Sequence, residues 1–277
     1  MRCERTIWLA LALATLGMAT LLAGTRQQTG NRASAWPCGT RLDLSYFRVA
    51  EGSGGHLLLL SPEEIGDSAN LLIALGAHPQ TIFRTAGTMQ PGLHEIPIPV
   101  DSSIGSLLFS VGVQCLQTAQ IVRPSGEVLA GDDVTDFTNF KAEHASVVRR
   151  PEPGIWTLRV EGSGISGMAV QAQSTLGISQ VEFAPAPGTA FTPIPQAGVE
   201  NIIRIRMGGR PSDLRAFLVN SVFERVAVIT RSADEEAGTF VGRMPAVTTA
   251  FRVVVTGTDE QSHAFQRTSA PLLTPAR

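Results

Sequence analysis

The stretch Pro151-Glu152-Pro153-Gly154-Ile155-Trp156-Thr157-Leu158-Arg159-Val160 constrains the fold of this chain more than any other. Pro153-Gly154 sets a tight bend, and beyond it Trp156, Leu158 and Val160 alternate with Thr157, Arg159 and Glu161. Alternation at period two sends one row of side chains into a core and the other into solvent, as in a half-buried strand. The same pattern recurs from Gln80 onward, with candidate strands over 81–86, 95–100, 106–115, 119–123, 127–130, 146–149, 155–161, 167–174 and 178–183. Turn clusters separate them at Gln90-Pro91-Gly92, Asp101-Ser102-Ser103, Pro124-Ser125-Gly126, 151–154 and Gly162–Gly167. So many short strands over residues 77–184 predict an antiparallel two-sheet sandwich or jelly roll.

Ala184-Pro185-Ala186-Pro187-Gly188, followed by Pro193 and Pro195, reads as a linker at 185–188 into a second domain, 189–277. There Ile203, Ile205 and Met207 alternate with Arg204 and Arg206, and further strands are expected over 214–219, 225–230, 238–244, 250–256 and 264–268. This pattern predicts an immunoglobulin-like sandwich. The chain is therefore expected to be mainly β, two consecutive antiparallel sandwiches.

Residues 1–35 read as an export signal: a short basic leader to Thr6, then an apolar and small-residue run from Ile7 to Ala23. Ala33-Ser34-Ala35 offers a small-x-small cleavage pattern, while Arg26 and Arg32 keep an uncleaved membrane anchor open as the alternative. Either way the rest of the chain is expected to be secreted, periplasmic or at the cell surface. The leader holds four arginines and one glutamate, so the remainder is more acidic than the net charge of −2 of the whole chain. With Lys141 as its single lysine and no basic stripe, the sequence argues against nucleic acid as a partner. Cys38 and Cys115 are the thiols beyond the leader; they either pair as a disulfide or lie buried separately.

Residues 36–76 are the helical part. Asp43–Glu51 places Leu44, Phe47, Val49 and Ala50 within two turns and stops at Gly52-Ser53-Gly54-Gly55. His56–Leu60 reads as a short buried strand, and Ser61-Pro62-Glu63-Glu64 as an N-cap and capping box opening a helix from Pro62 to Leu75.

The order Pro-Ser-Gly turn, Pro-Gly-x-Trp-x-Leu strand and small-residue hairpin (Met168–Ser174) resembles the galactose-binding-like sandwich of hemicentins and related von Willebrand factor A domain proteins. Tyr46–Gly55 resembles the segment before the last strand and helix of an A domain, and Phe251–Asp259 with Phe265-Gln266-Arg267 the close of the second module. The resemblance implies an adhesive architecture carrying only a remnant of the A domain. The metal-binding Asp-x-Ser-x-Ser of an A domain has no match, since Asp43-Leu44-Ser45 continues as Tyr46-Phe47.

Chemistry-bearing patterns are sparse. Gly162-Ser163-Gly164-Ile165-Ser166-Gly167 has dinucleotide-fingerprint spacing but is followed by strand-like sequence where a phosphate site needs a helix, so it reads as a hairpin turn and no cofactor is expected. Asp132, Asp133 and Asp136, with Glu127, are weak calcium candidates without the EF-hand order; Asp234-Glu235-Glu236 reads as a hairpin tip. His56, His78, His94, His144 and His263 show no metal-ligand spacing, and no serine sits in a nucleophile-elbow frame. The expectation is a non-catalytic adhesion, interaction or structural protein whose partner is another extracytoplasmic protein or a glycan. The runner-up is a carbohydrate-binding module, with Asn139, His144, Arg149 and Arg150 as polar loop residues, though exposed rings for sugar are few: Tyr46, Trp36 at the processed end, and Trp156 on a core face. A secreted enzyme with an unrecognised site is the third.

Overall fold

The computed structural model describes residues 9–10, 38, 43, 45–61, 63–129, 134–137, 140–232 and 238–277. Of the leader, β1 (Leu9–Ala10) pairs antiparallel with β2 (Leu59–Leu60); the cleavage pattern at 33–35 lies outside the described residues.

The first sandwich is one antiparallel five-stranded sheet in the order β3-β7-β4-β6-β5, made of β3 (Gln80–Val100), β4 (Ile104–Val122), β5 (Val134–Phe137), β6 (Glu143–Arg149) and β7 (Gly154–Ser174). Ile82 and Phe83 from the start of β3 share one core with Ile98 and Val100 from its end, alongside Trp156, Leu158, Val170 and Ala172 of β7. Straight strands of 21 residues would hold such ends about 60 Å apart. The sheet therefore bends over and covers itself, making two layers from one sheet.

Bulges make that bend. The β3–β7 register shifts between Met89 and Gly92, and the β4–β7 register between Val113 and Cys115 and between Leu116 and Thr118. Two sequence expectations are corrected here: Gln90-Pro91-Gly92 and Gly162–Gly167 are not turns between separate strands but lie inside β3 and β7. Gly162 is needed where β7 crosses β4, because a Cβ there would sit 2.6 Å from the Cys115 carbonyl oxygen. The expected strand over 127–130 is reduced, within the described residues, to a single bridge between Val122 and Val128.

A helical layer closes the outer face. α1 (Ser45–Ser53) runs through Gly52 and ends at Gly54, φ +73°, two residues later than expected. Beyond β2, a 3-10 turn (Ile65–Asp67) leads into α2 (Ser68–Ala77). The capping-box arm forms, Ser61 N–H donating to Glu64 at 2.6 Å, but the other Glu64 oxygen accepts from Lys141 N–H at 2.7 Å and the regular helix begins later. Leu58, Leu60, Leu71, Ala74 and Leu75 pack with Leu108, Phe140, Ala145 and Val147, so the first sandwich is the partner for this apolar segment.

The second sandwich packs two antiparallel four-stranded sheets, β11-β10-β14-β15 and β12-β13-β9-β8. Its strands are β8 (Gly177–Ala184), β9 (Asn201–Gly208), β10 (Ser212–Val219), β11 (Arg225–Val228), β12 (Thr230–Arg231), β13 (Thr239–Met244), β14 (Arg252–Thr258) and β15 (Ala264–Thr268). Their inner faces bury Phe183, Ile203, Ile205, Leu218, Phe240, Phe251, Val253, Val255 and Phe265. The sequence-based division is corrected on one point: the strand at 178–183 belongs here, since Phe183 lies opposite Ile203 and Val181 opposite Ile205. Residues 185–188 thus lie in a loop between two strands of one sheet.

Candidate functional site

Where the sandwiches meet, charged side chains are buried. Glu51 of α1 accepts from Arg84 Nε of β3 at 3.0 Å and pairs through its other oxygen with Arg252 of β14. Arg84 also caps the end of α1, donating to the carbonyls of Ala50, Gly54 and Gly55. Burial pulls the Arg84 guanidinium below its ordinary value, against the raising effect of Glu51. Gln266 and Thr268 of β15 both donate to the Ile82 carbonyl of β3, and Asp259 accepts from the N–H and hydroxyl of Ser102. These contacts fix one sandwich on the other.

The β10–β11 turn reaches across this seam. Asn220 Oδ1 accepts the N–H groups of Val222 at 3.1 Å and Glu224 at 2.9 Å, while its amide donates to Glu224 Oε2 at 2.9 Å. Held this way, Phe223 takes φ +65° and packs against Phe83 of the first sandwich, ring centroids 4.6 Å apart and planes tilted by 57°. Left-handed backbone is costly for a bulky residue and persists only where surrounding contacts over-determine it. Ser221 O accepts Ala86 N–H of β3 at 2.7 Å. Gly87 completes the fit, because a Cβ there would meet Val222 Cγ1 at 2.5 Å.

Beside this turn opens a groove of about 570 Å³, in the size range of ligand clefts. Phe83, Met89, Ile96, Met168 and Phe223 form its apolar surface, and Leu93 on its wall is 60% exposed. His94, Glu95, Thr88, Ser166 and Glu224 supply polar atoms. A separate cavity of about 490 Å³ shares Gly87 and Thr88 with the groove and is lined also by Phe47 and Arg48 of α1.

Other titratable groups are enclosed. Glu143 of β6 is fully buried beside Ser110, whose hydroxyl donates to it at 2.8 Å; burial pushes its carboxyl up to about 8 against that hydrogen bond. Burial, with Arg84 nearby, lowers His56 to about 3. The cavity lined by His56, Arg84 and Ser110 holds only about 20 Å³.

The candidates named from the sequence are dispersed. Asp132 and Asp133, and the acidic run 234–236, lie outside the described residues; Asp136 is on β5, in register with Ser146. Among the described residues no group of three His, Cys, Asp or Glu side chains could hold a metal ion. Cys38 and Cys115 are joined as a disulfide, Cα atoms 5.2 Å apart. Trp156 is closed to solvent, its Nε1 donating to the Glu152 carbonyl at 2.9 Å. Arg149 and Arg150 are exposed, His144 is half-buried on β6, and Asn139 and Trp36 lie outside the described residues. Of the groove residues, His94 and Ser166 stood in chemistry-bearing patterns weighed from the sequence, neither of them for a groove. Asn220 followed closely by Glu224 is a local turn signal, but nothing local says that the turn lands on Phe83.

No family model matches the chain, and no curated protein does. Solved structures with some likeness include a Bacillus licheniformis lipase in its propeptide form, 11% identical, covering 69% of this chain and 40% of that one with a TM-score of 0.32. A DUF4785 family protein from Legionella pneumophila is 10% identical and covers 69% of this chain and 63% of that one, with a TM-score of 0.41. The chain thus spans less than two thirds of either structure, and likenesses this slight bear on neither activity nor partner.

Proposed function

We propose that this chain is an exported, non-catalytic interaction protein of adhesive type, in which two sandwiches joined as one rigid body present the seam groove to a partner protein. One observation carries the reading: charged side chains that could serve chemistry, Glu51, Arg84, Arg252, Asp101 and Arg267, are instead buried in ion pairs that join the sandwiches. A surface held this firmly loses little entropy on binding. Export is part of the proposal; among the described residues no helix is long and apolar enough to cross a membrane.

The test places a photo-crosslinking residue at Leu93 and, as control, at Val228 on the edge of the second sandwich, both exposed, in the full chain expressed in its own cell envelope. A discrete protein adduct from position 93 and none from 228 is expected. Saturable binding on a glycan array without such an adduct would overturn the reading in favour of a carbohydrate-binding module.

A further inference from the structure

We propose that the seam groove recognises an extended segment of a partner protein through a basic side chain, its apolar stem over Phe83 and Phe223 and its charged head at Glu224; this rests on reading the groove as the protein's binding surface. Charge gives the sign of the partner. Glu95 and Glu224 line the groove, and no lysine or arginine does so among the described residues. Arg159 occupies Glu95 at 2.7 Å, whereas the group holding Glu224 is the neutral Asn220 amide. Among the described residues, one carboxylate at the groove mouth is therefore left without a cationic partner. His94, the basic side chain that does line the groove, is turned to the Gln90 carbonyl, 2.9 Å from its Nε2, and forms no ion pair with Glu224.

The floor suits the same occupant. Half-buried Phe223 and Ile96 and exposed Leu93 form its accessible apolar surface, with the buried Phe83 ring and the Met89 and Met168 thioethers directly beneath; an arginine or lysine stem packs over such a surface and its cation is drawn toward the Phe223 ring. The strained turn places both parts together: Phe223 in the left-handed region and Glu224 next to it are fixed by the single Asn220 side chain. Extent argues for a chain rather than one residue, since a groove of about 570 Å³ holds more than a single side chain, while the neighbouring cavity that carries Arg48 lies outside the proposed site. Strand addition to β3 is disfavoured, because Pro91, Pro97 and Pro99 lack the N–H it would need and Ala86 N–H is taken by Ser221. Recognition then falls to side chains.

The experiment titrates the full chain, labelled with methyl-13C methionine, with a blocked hexapeptide carrying Leu-Arg-Leu, and with versions in which citrulline or glutamate replaces the arginine. Met89 and Met168 methyl signals should move saturably while Met207 and Met244, buried in the second core, stay still. Glu224→Gln, an exposed and conservative change, should weaken binding about fivefold to twentyfold, as loss of one charge-assisted contact implies, and the citrulline peptide should lose as much on the unaltered protein. Equal affinity for the arginine and citrulline peptides would overturn the basic-residue inference and leave the groove as a binding surface. No shift of Met89 or Met168 with any peptide at millimolar concentration would also overturn it, and only if the Leu93 crosslink is absent too does the wider reading fail.

Discussion

Arg267 Nη1 of the second sandwich lies 2.7 Å from Asp101 Oδ2 of the first, with the two side chains 1% and 0% exposed. The pair is fully bonded: Arg267 also donates to Leu176 O at 2.8 Å and Ser174 Oγ at 2.9 Å, and Asp101 accepts from the backbone and hydroxyl of Ser103. Desolvating two charges offsets most of their attraction, so such a pair specifies orientation more than it adds stability. It is the counterpart, on the other side of the seam, of Glu51 between Arg84 and Arg252.

Removing one partner of that pair should be costly. Arg267→Ala or Asp101→Ala strands a buried charge and is expected to destabilise by about 3–5 kcal/mol, whereas Asp101→Leu with Arg267→Met should recover most of the loss. Urea denaturation of the four proteins checks this. Single variants losing under about 1 kcal/mol would mean that water reaches the seam.

Glu143 and His56 give opposite pH slopes. The Glu143 carboxyl is raised from 4.5 to about 8, so its contribution is present below pH 4.5 and is lost as pH rises toward 8. His56 is lowered from 6.5 to about 3, so its contribution is present above pH 6.5 and is lost as pH falls toward 3. Each approaches at most about 1.4 kcal/mol per pH unit, and between 4.5 and 6.5 they largely cancel. Burial lowers His78 as well, which adds to the His56 side of the balance, so stability should rise gently toward pH 6.5 and decline from pH 6.5 to 8. Glu143→Gln should abolish that decline and steepen the rise to pH 6.5, read from urea midpoints; a decline that survives Glu143→Gln would refute the assignment.

Alternation alone revealed much of the fold. Trp156, Leu158 and Val160 face the core as their spacing required, and β15 has the bounds expected of it. Strand ends were harder, because Pro and Gly mark bulges as well as turns, and Gly92 and Gly162 serve the bend of a continuous strand. The seam was hidden for another reason. Arg252 alternates with Val253 and Val255 as a solvent-facing residue would, yet it is buried, because period two tells which face a residue is on and not whether a second domain covers that face, while Arg267 shares a face with the core residue Phe265 and lies over its ring at 5.8 Å. The Phe83–Phe223 contact joins positions 140 residues apart, which local pattern cannot relate.

Trp156→Ala should open a cavity in the bent sheet at a cost of about 3–5 kcal/mol. Phe109 stands 6.5 Å away and Arg123 lies over the ring at 5.6 Å, so few side chains can collapse into the space without breaking the bend. The measurement is the urea midpoint at unchanged slope. A loss below about 1 kcal/mol would show that the site relaxes fully.

Cleavage in the loop at 185–188 should nick the protein without separating it. Ala186, Pro187 and Gly188 are exposed, so a protease should cut there early. Unlike a domain linker, this loop joins β8 to β9 of one sheet, and β8 stays paired along its length from Gly177 opposite Gly208 to Ala184 opposite Ile202. The two pieces are therefore expected to co-elute in native chromatography and to part only in denaturant. Because β15 is bonded to β3 and Glu51 bridges both sandwiches, the intact chain should unfold in a single calorimetric transition. Seam variants such as Glu51→Ala should split it in two, and two transitions in the unaltered protein would show the sandwiches to be independent and the seam groove to lack the rigidity on which its proposed function depends.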